Sequence, residues 1–173
     1  MQLSNIGHAS ILESRCEQWP DEAACAASAR ALAARPALRE AYIELHGPLG
    51  AGKTTFVRHL LQALGVPGRI KSPTYAVMEA YELPADAARG SAPLEIRHFD
   101  FYRFDDPQEW EDAGFRDAFT GTGLKLAEWP DKAAGFLPVA DLVLAIEPGA
   151  SETRRVEWHA ATPRGLALLG ATP

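Results

Sequence analysis

Residues 41–65, "AYIELHGPLGAGKTTFVRHLLQALG", restrict this chain more than any other stretch. A short apolar run, 41–47, reads as a strand that ends at Gly47. The run "TTFVRHLLQAL", 54–64, sets Phe56, Leu60, Leu61 and Leu64 on one helical face before Gly65 stops it. Between the two, Gly47, four residues, Gly52, Lys53 and Thr54 match G-x-x-x-x-G-K-[ST] in the strand-loop-helix setting that this pattern requires. Each residue type has a physical reason. Glycines let successive backbone N–H groups turn toward phosphate oxygens, and the helix N-terminus adds a favourable dipole. A lysine reaches the outer phosphates, and a threonine hydroxyl ligates Mg2+. The pattern therefore assigns Gly47, Leu49, Gly50, Ala51, Gly52, Lys53, Thr54 and Thr55 to nucleotide phosphate binding, with Thr54 also on the metal.

The rest of the chain alternates strand-like and helical patterns. "PDEAACAASARALAAR", 20–35, has acids in its first turn and arginines later, the polarity a helix dipole favours. Strand-like runs follow at 75–83, 94–100, 124–129, 141–147 and 153–162. "DPQE", 106–109, resembles a capping box with Pro107 at the first helical position. Residues 84–93, "PADAARGSAP", read as a flexible loop, and "PGASE", 148–152, joins the last strand pair. The expected fold is a three-layer α/β P-loop domain, 1–173, with a parallel core sheet extended by antiparallel strands.

Composition removes other classes. With 173 residues and 47% hydrophobic content, one domain can build a core without metal or disulfide staples. No apolar run reaches the ~18 residues of a membrane span, and "MQLSNIGHAS" lacks a signal pattern, so the expected location is cytoplasmic, away from membranes. Cys16 and Cys25 lie nine apart without metal-ligand spacing and read as unpaired thiols. The net charge of -6 argues against a chain that grips a phosphate backbone by itself. Residues 105–117 carry six carboxylates against one arginine. They read as a solvated helical face or as a docking surface for a basic partner.

A phosphate loop does not name a reaction. Two strand-like runs end in a carboxylate, Asp100 and Glu128, and from the residues alone either could serve the metal. Asn5 is the only asparagine, which excludes the N-K-x-D reading of guanine and leaves ATP as the expected nucleotide. The segment around Trp19 is the candidate wall for the base.

The ordered series "LGAGKTT" (49–55), "KSPTY" (71–75), "HFDFYR" (98–103) and "EWP" (128–130) resembles the bacterial TsaE family, the ATPase of tRNA threonylcarbamoyladenosine biosynthesis, over about residues 20–147. Pro48 stands where that family usually has aspartate, and 84–93 look like an insertion. The resemblance implies an ATPase that docks on the transferase TsaD and its companion TsaB, with tRNA met only through that complex. It further implies that Lys53 and Thr54 bind phosphate and Mg2+, that Glu128 is the second metal-binding residue, and that Asp100 is needed for hydrolysis. Ser72, Pro73 and Thr74 correspond to a switch-like segment. Tyr102, Arg103 and Trp129 correspond to positions near the nucleotide or a partner.

Plainer readings stand beside these roles. Tyr102 could be a packed aromatic, Arg103 could offset Asp105 and Asp106, and Pro73 could simply form a turn. His98, in a strand that reads as buried, is read as structural, and Trp110 and Trp158 as packing residues. Two other function classes fit the phosphate loop: a small-molecule kinase, and a binding module gated by ATP with negligible turnover. A kinase would need several arginines around the transferred phosphoryl group, and only Arg154 and Arg155 pair up late in the chain. With "KSPTY" apparent as a segment without an internal anchor, hydrolysis is expected to be slow alone and faster with partners.

Overall fold

The computed structural model describes residues 10–86 and 90–170. Seven strands form one sheet: β1 (Glu13–Trp19), β2 (Tyr42–His46), β3 (Met78–Leu83), β4 (Leu94–Asp100), β5 (Leu124–Glu128), β6 (Leu142–Pro148) and β7 (Arg154–Ala160). Their spatial order is β1-β7-β6-β2-β5-β4-β3. The middle four strands, β6-β2-β5-β4, are parallel. β7 and then β1 extend one edge antiparallel, and β3 extends the other. This is the expected parallel core with antiparallel extensions.

Helices cover both faces. Helices α1 (Glu22–Ala33), α2 (Lys53–Leu64) and α5 (Pro163–Leu169) bury Leu32, Phe56, Leu60, Leu61 and Leu168 against Ile43, Leu45, Leu126 and Leu144. Helices α3 (Pro107–Asp112) and α4 (Phe115–Thr120) bring Trp110, Phe115 and Phe119 onto Phe99, Phe101 and Val143 on the other face. Parity along each strand divides these sets, since successive side chains point to opposite faces. β6 is apolar up to Glu147, whereas β2, β4 and β5 also carry Glu44, Glu95, Arg97, His98 and Lys125 before their C-terminal ends. Burial of both faces at ~25 cal/mol per Å2 of apolar surface supplies the main stabilisation.

Local signals explain most boundaries. Asp21 caps α1 by accepting from Ala24 N at 2.9 Å. Asp106 caps α3 through Gln108 N at 2.9 Å, with Pro107 in the first turn as the sequence predicts. The cap is a simple one rather than the expected capping box, because the Asp106 side chain accepts from Gln108 N instead of Glu109 N. α2 buries Phe56, Val57, Leu60 and Leu61, while Leu64 is half-buried at the helix end.

Three elements escape the sequence patterns. β1, "ESRCEQW", is an edge strand whose only fully buried side chain is Trp19, so it lacks apolar alternation and is held by backbone pairing to β7. α4 and α5 have six and seven residues, too short to show a helical period. Residues 84–93 connect the β3–β4 hairpin. Asp86 and Ser91 bridge across it, and residues 87–89 lie outside the described residues. Cys16 is exposed, Cys25 is buried and both are free. Among the described residues no helix is long and apolar enough to cross a membrane.

Candidate functional site

The strands β2, β4 and β5 end side by side at His46, Asp100 and Glu128, at the carboxyl edge of the parallel sheet. Open parallel sheets bind ligands at that edge. A cavity of about 360 Å3 opens there, lined by Leu49, Gly50, Gly52, Lys53, Thr54, Thr55, Ser72, Thr74, Asp100, Tyr102, Glu128 and Trp129. Four separate sequence segments thus converge on one space.

The glycine loop is shaped by positions no other residue could fill. Gly47 has φ 144°, and a Cβ there would meet the Ile146 carbonyl oxygen at 2.4 Å, so the loop can leave β2 against β6 only without a side chain. Gly52, at φ 110°, turns the chain into α2 in the left-handed region. Arg154 holds the loop from behind, its Nε donating to the Ala51 carbonyl at 2.8 Å. Sequence reasoning noted Arg154 only as a late arginine pair with Arg155 and missed this contact, since its partner lies 103 positions away.

Lys53 is nearly buried, at 4% exposure. Its ammonium donates to the carbonyls of Gly47 at 2.6 Å and Pro48 at 2.9 Å, and sits 4.0 Å above the Trp129 ring. Burial pulls its pKa below the ordinary lysine value, while Glu128 and Asp100 pull the other way. The carboxylates thereby help to keep a desolvated cation charged.

Thr54 and Glu128 meet directly. The Thr54 hydroxyl lies 2.8 Å from Glu128 Oε2 and 3.0 Å from Oε1. A hydroxyl and a carboxylate in contact are hard oxygen donors of the kind Mg2+ takes, usually with one or two carboxylates and the rest from phosphate and water. The donor set therefore fits that ion. His98 is fully buried as expected, and its Nε2 stands 2.9 Å from Glu128 Oε1, a contact the packing reading did not anticipate.

Asp100 is held otherwise. Its Oδ2 accepts from the hydroxyls of Ser72 and of Thr74, the latter at 2.8 Å, and its Oδ1 accepts from Tyr102 N at 3.0 Å. The segment 71–75, which has no evident anchor in the sequence, is therefore anchored on Asp100. Pro73 is buried and its carbonyl accepts from Val77 N at 2.6 Å, closing a turn in which Val77 takes φ 64°. A positive φ on a β-branched residue is strained backbone. Trp129 also has positive φ, at 55°, directly after Glu128.

Tyr102 and Trp129 pack at 5.0 Å between ring centroids at the cavity mouth. Arg103 lies outside the cavity lining, its guanidinium 4.5 Å from the Tyr75 ring centroid rather than on Asp105 or Asp106. Leu49 and Tyr75 are 75% and 86% exposed, an apolar rim beside the opening. A second cleft, about 220 Å3, flanks the other side of the α2 N-terminus and is lined by Trp19, Asp21, Glu22, Cys25, Ala51, Gly52, Thr55, Glu152 and Arg154. Trp19 is a core residue, 2% exposed and stacked on Phe56, so only its edge borders that cleft. Trp110 and Trp158 are packing residues as expected.

A glycine loop entering a helix at the carboxyl edge of a mostly parallel, doubly covered sheet defines a P-loop-type α/β domain. The fold is shared with the crystal structure of Bacillus subtilis YdiB, at a TM-score of 0.68 and 24% identity over 94% of this chain and 95% of that one. The family model for threonylcarbamoyl adenosine biosynthesis protein TsaE matches residues 19–156, and the chain belongs to that family. Among curated relatives, the tRNA threonylcarbamoyladenosine biosynthesis protein TsaE of Haemophilus influenzae is 40% identical over 129 residues, 75% of this chain and 76% of its own. Its Bacillus subtilis counterpart is 31% identical over 145 residues, 84% of each chain. The family's place is in tRNA threonylcarbamoyladenosine biosynthesis.

Proposed function

We propose that this chain binds Mg-ATP and hydrolyses it slowly, and that it supports tRNA threonylcarbamoyladenosine formation by docking on TsaB and TsaD. The observation that most supports this is the convergence of Lys53, Thr54, Asp100 and Glu128 on one cavity beside the glycine loop. In this reading the backbone of 47–55 receives the phosphates, and Lys53 turns from the Gly47 and Pro48 carbonyls to the outer phosphate oxygens. Thr54 and Glu128 hold the cation. Bound Mg2+ would supply charge neutralisation on the phosphates. Asp100 orients the attacking water, and Ser72 and Thr74, which bond its carboxylate, decide when it is free to do so. The second cleft, across α2 from the first, is the proposed seat of the adenosine.

Slow turnover follows from this arrangement. A carboxylate whose Oδ2 is shared by two hydroxyls is a poor acceptor for a third donor, and partner contact at the exposed Leu49 and Tyr75 rim would shift the 71–77 segment. The acidic balance makes tRNA contact indirect. The test mixes the purified chain with TsaB and TsaD, with and without ATP, and follows complex formation by size exclusion and phosphate release at steady state. An ATP-dependent complex with raised turnover is expected. Full turnover by the isolated chain, unchanged by partners, would sink the proposal.

A further inference from the structure

His98 lies inside the sheet with no exposed surface, and among the described residues one of its two ring nitrogens has no partner. Nε2 faces Glu128 Oε1 at 2.9 Å, while Nδ1 is buried and unpartnered. An ionised carboxylate only accepts, so Nε2 carries the proton. The contacts thus aim Nε2 of the ring at Glu128 and leave Nδ1 without a partner among the described residues.

The sheet register explains the placement. His98 and Asp100 share one face of β4, and Leu126 and Glu128 share the same face of β5, with His98 opposite Leu126 and Asp100 opposite Glu128. His98 therefore reaches Glu128 diagonally from within the core. The Thr54 hydroxyl reaches the same carboxylate from α2, 2.8 Å from Oε2. An apolar residue at 98 would remove the core-side donor and leave Oε1 only the Thr54 hydroxyl at 3.0 Å. A lysine or arginine there would bring a charge that competes with a cation for the carboxylate. An N–H donor from the ring fixes the plane of the carboxylate.

We infer that His98 is a positioning residue: it holds the Glu128 carboxylate toward Thr54 so that the two present their oxygens together to a divalent cation. This rests on the proposed Mg-nucleotide reading. Hydrogen-bond partners behind metal ligands typically change metal affinity by ~10–100-fold when removed, and a loss of that size is expected of His98→Leu. His98→Gln, whose amide nitrogen can stand near the Nε2 position, should recover most of the affinity. His98→Asn, whose amide falls near Nδ1, should not.

The experiment measures Mn2+ binding by electron paramagnetic resonance in the presence of a saturating nonhydrolysable ATP analogue, alongside analogue affinity without metal and the thermal midpoint of each variant. Loss with Leu and Asn, rescue with Gln, and unchanged metal-free affinity support the inference. Wild-type metal affinity in folded His98→Leu overturns it, as does a loss that tracks only the thermal midpoint across the three variants. Long-range 1H–15N correlation on the wild-type protein, with no ligand added, reads the tautomer directly and does not depend on any variant folding. A proton on Nδ1 with a bare Nε2 overturns the inference and leaves the nucleotide reading standing. A wild-type protein to which Mn2+ and analogue do not bind overturns both.

Discussion

Asp100 and Glu128 end neighbouring parallel strands and stand opposite each other in register, yet they are held by different kinds of structure. The partners of Glu128 come from the first turn of α2 and the interior of β4, both packed into the core. Two of the partners of Asp100 come from residues 72 and 74, in an irregular segment closed by a strained turn at Val77. Rigid partners fix a carboxylate in one orientation. Partners on a loop make it the point where a local rearrangement is felt, since segments with few packed contacts open at low free energy. The pair is accordingly divided between a carboxylate held by packed elements and one held by a loop.

The strongest test removes the cation both carboxylates attract. Lys53→Ala should lower ATP affinity by ~10–100-fold, the ~1.5–3 kcal/mol of a charge-assisted hydrogen bond, with circular dichroism unchanged. Undiminished binding by calorimetry would mean that the loop does not hold phosphate. Next comes the contrast itself. Glu128→Gln should weaken the Mg2+ dependence of nucleotide binding at least as much as the ~10–100-fold of losing a partner behind it, and Asp100→Asn by less, while both reduce phosphate release. The opposite ranking in Mg2+ titrations would exchange their roles. Smaller still is the effect on the loop. Ser72→Ala with Thr74→Ala removes two hydroxyls from Asp100, and amide exchange over 71–77 should rise ~5-fold, about 1 kcal/mol, with 124–128 unaffected. Equal acceleration in both segments would erase the distinction between them.

The smallest effect concerns the third strand end. His46, on the opposite face of β2, bonds Glu44 at 3.0 Å and approaches Asp131 at 3.5 Å, just beyond Trp129. Burial disfavours its charged form, but the bonds to Asp131 and Glu44 prevail and lift its pKa from 6.5 to about 9. A raised pKa means the folded protein holds the proton more tightly. The stabilisation is therefore complete below pH 6.5 and lost as pH climbs through about 9. Because Asp131 is 70% exposed, screening leaves ~1 kcal/mol. Thermal midpoints of wild type should fall toward those of His46→Gln across that window, and parallel curves would refute the linkage.

The strands of the parallel core were legible as short strand-like runs bounded by turn residues, and both carboxylates were visible at or next to the ends of such runs. β1 was not, because an edge strand satisfied by backbone bonds needs no apolar alternation. The contact of Arg154 to Ala51 was not, because it uses a backbone carbonyl that carries no residue-type signal. His98 was legible as buried, but its bond to Glu128 depends on which strand lies beside β4.

The sequence by itself determined the glycine loop, because its chemistry is contiguous: the glycines, Lys53 and Thr54 lie within nine positions of one another, and their backbone geometry is local. Only the tertiary structure decided how the two carboxylates divide their work. Glu128 meets Thr54 across 74 residues and His98 across 30, and Asp100 meets Ser72 across 28. Those encounters follow from the strand order β2-β5-β4, which brings the strand ends together. That order is set by burying two apolar faces at once, a condition on the whole sheet that no single segment expresses.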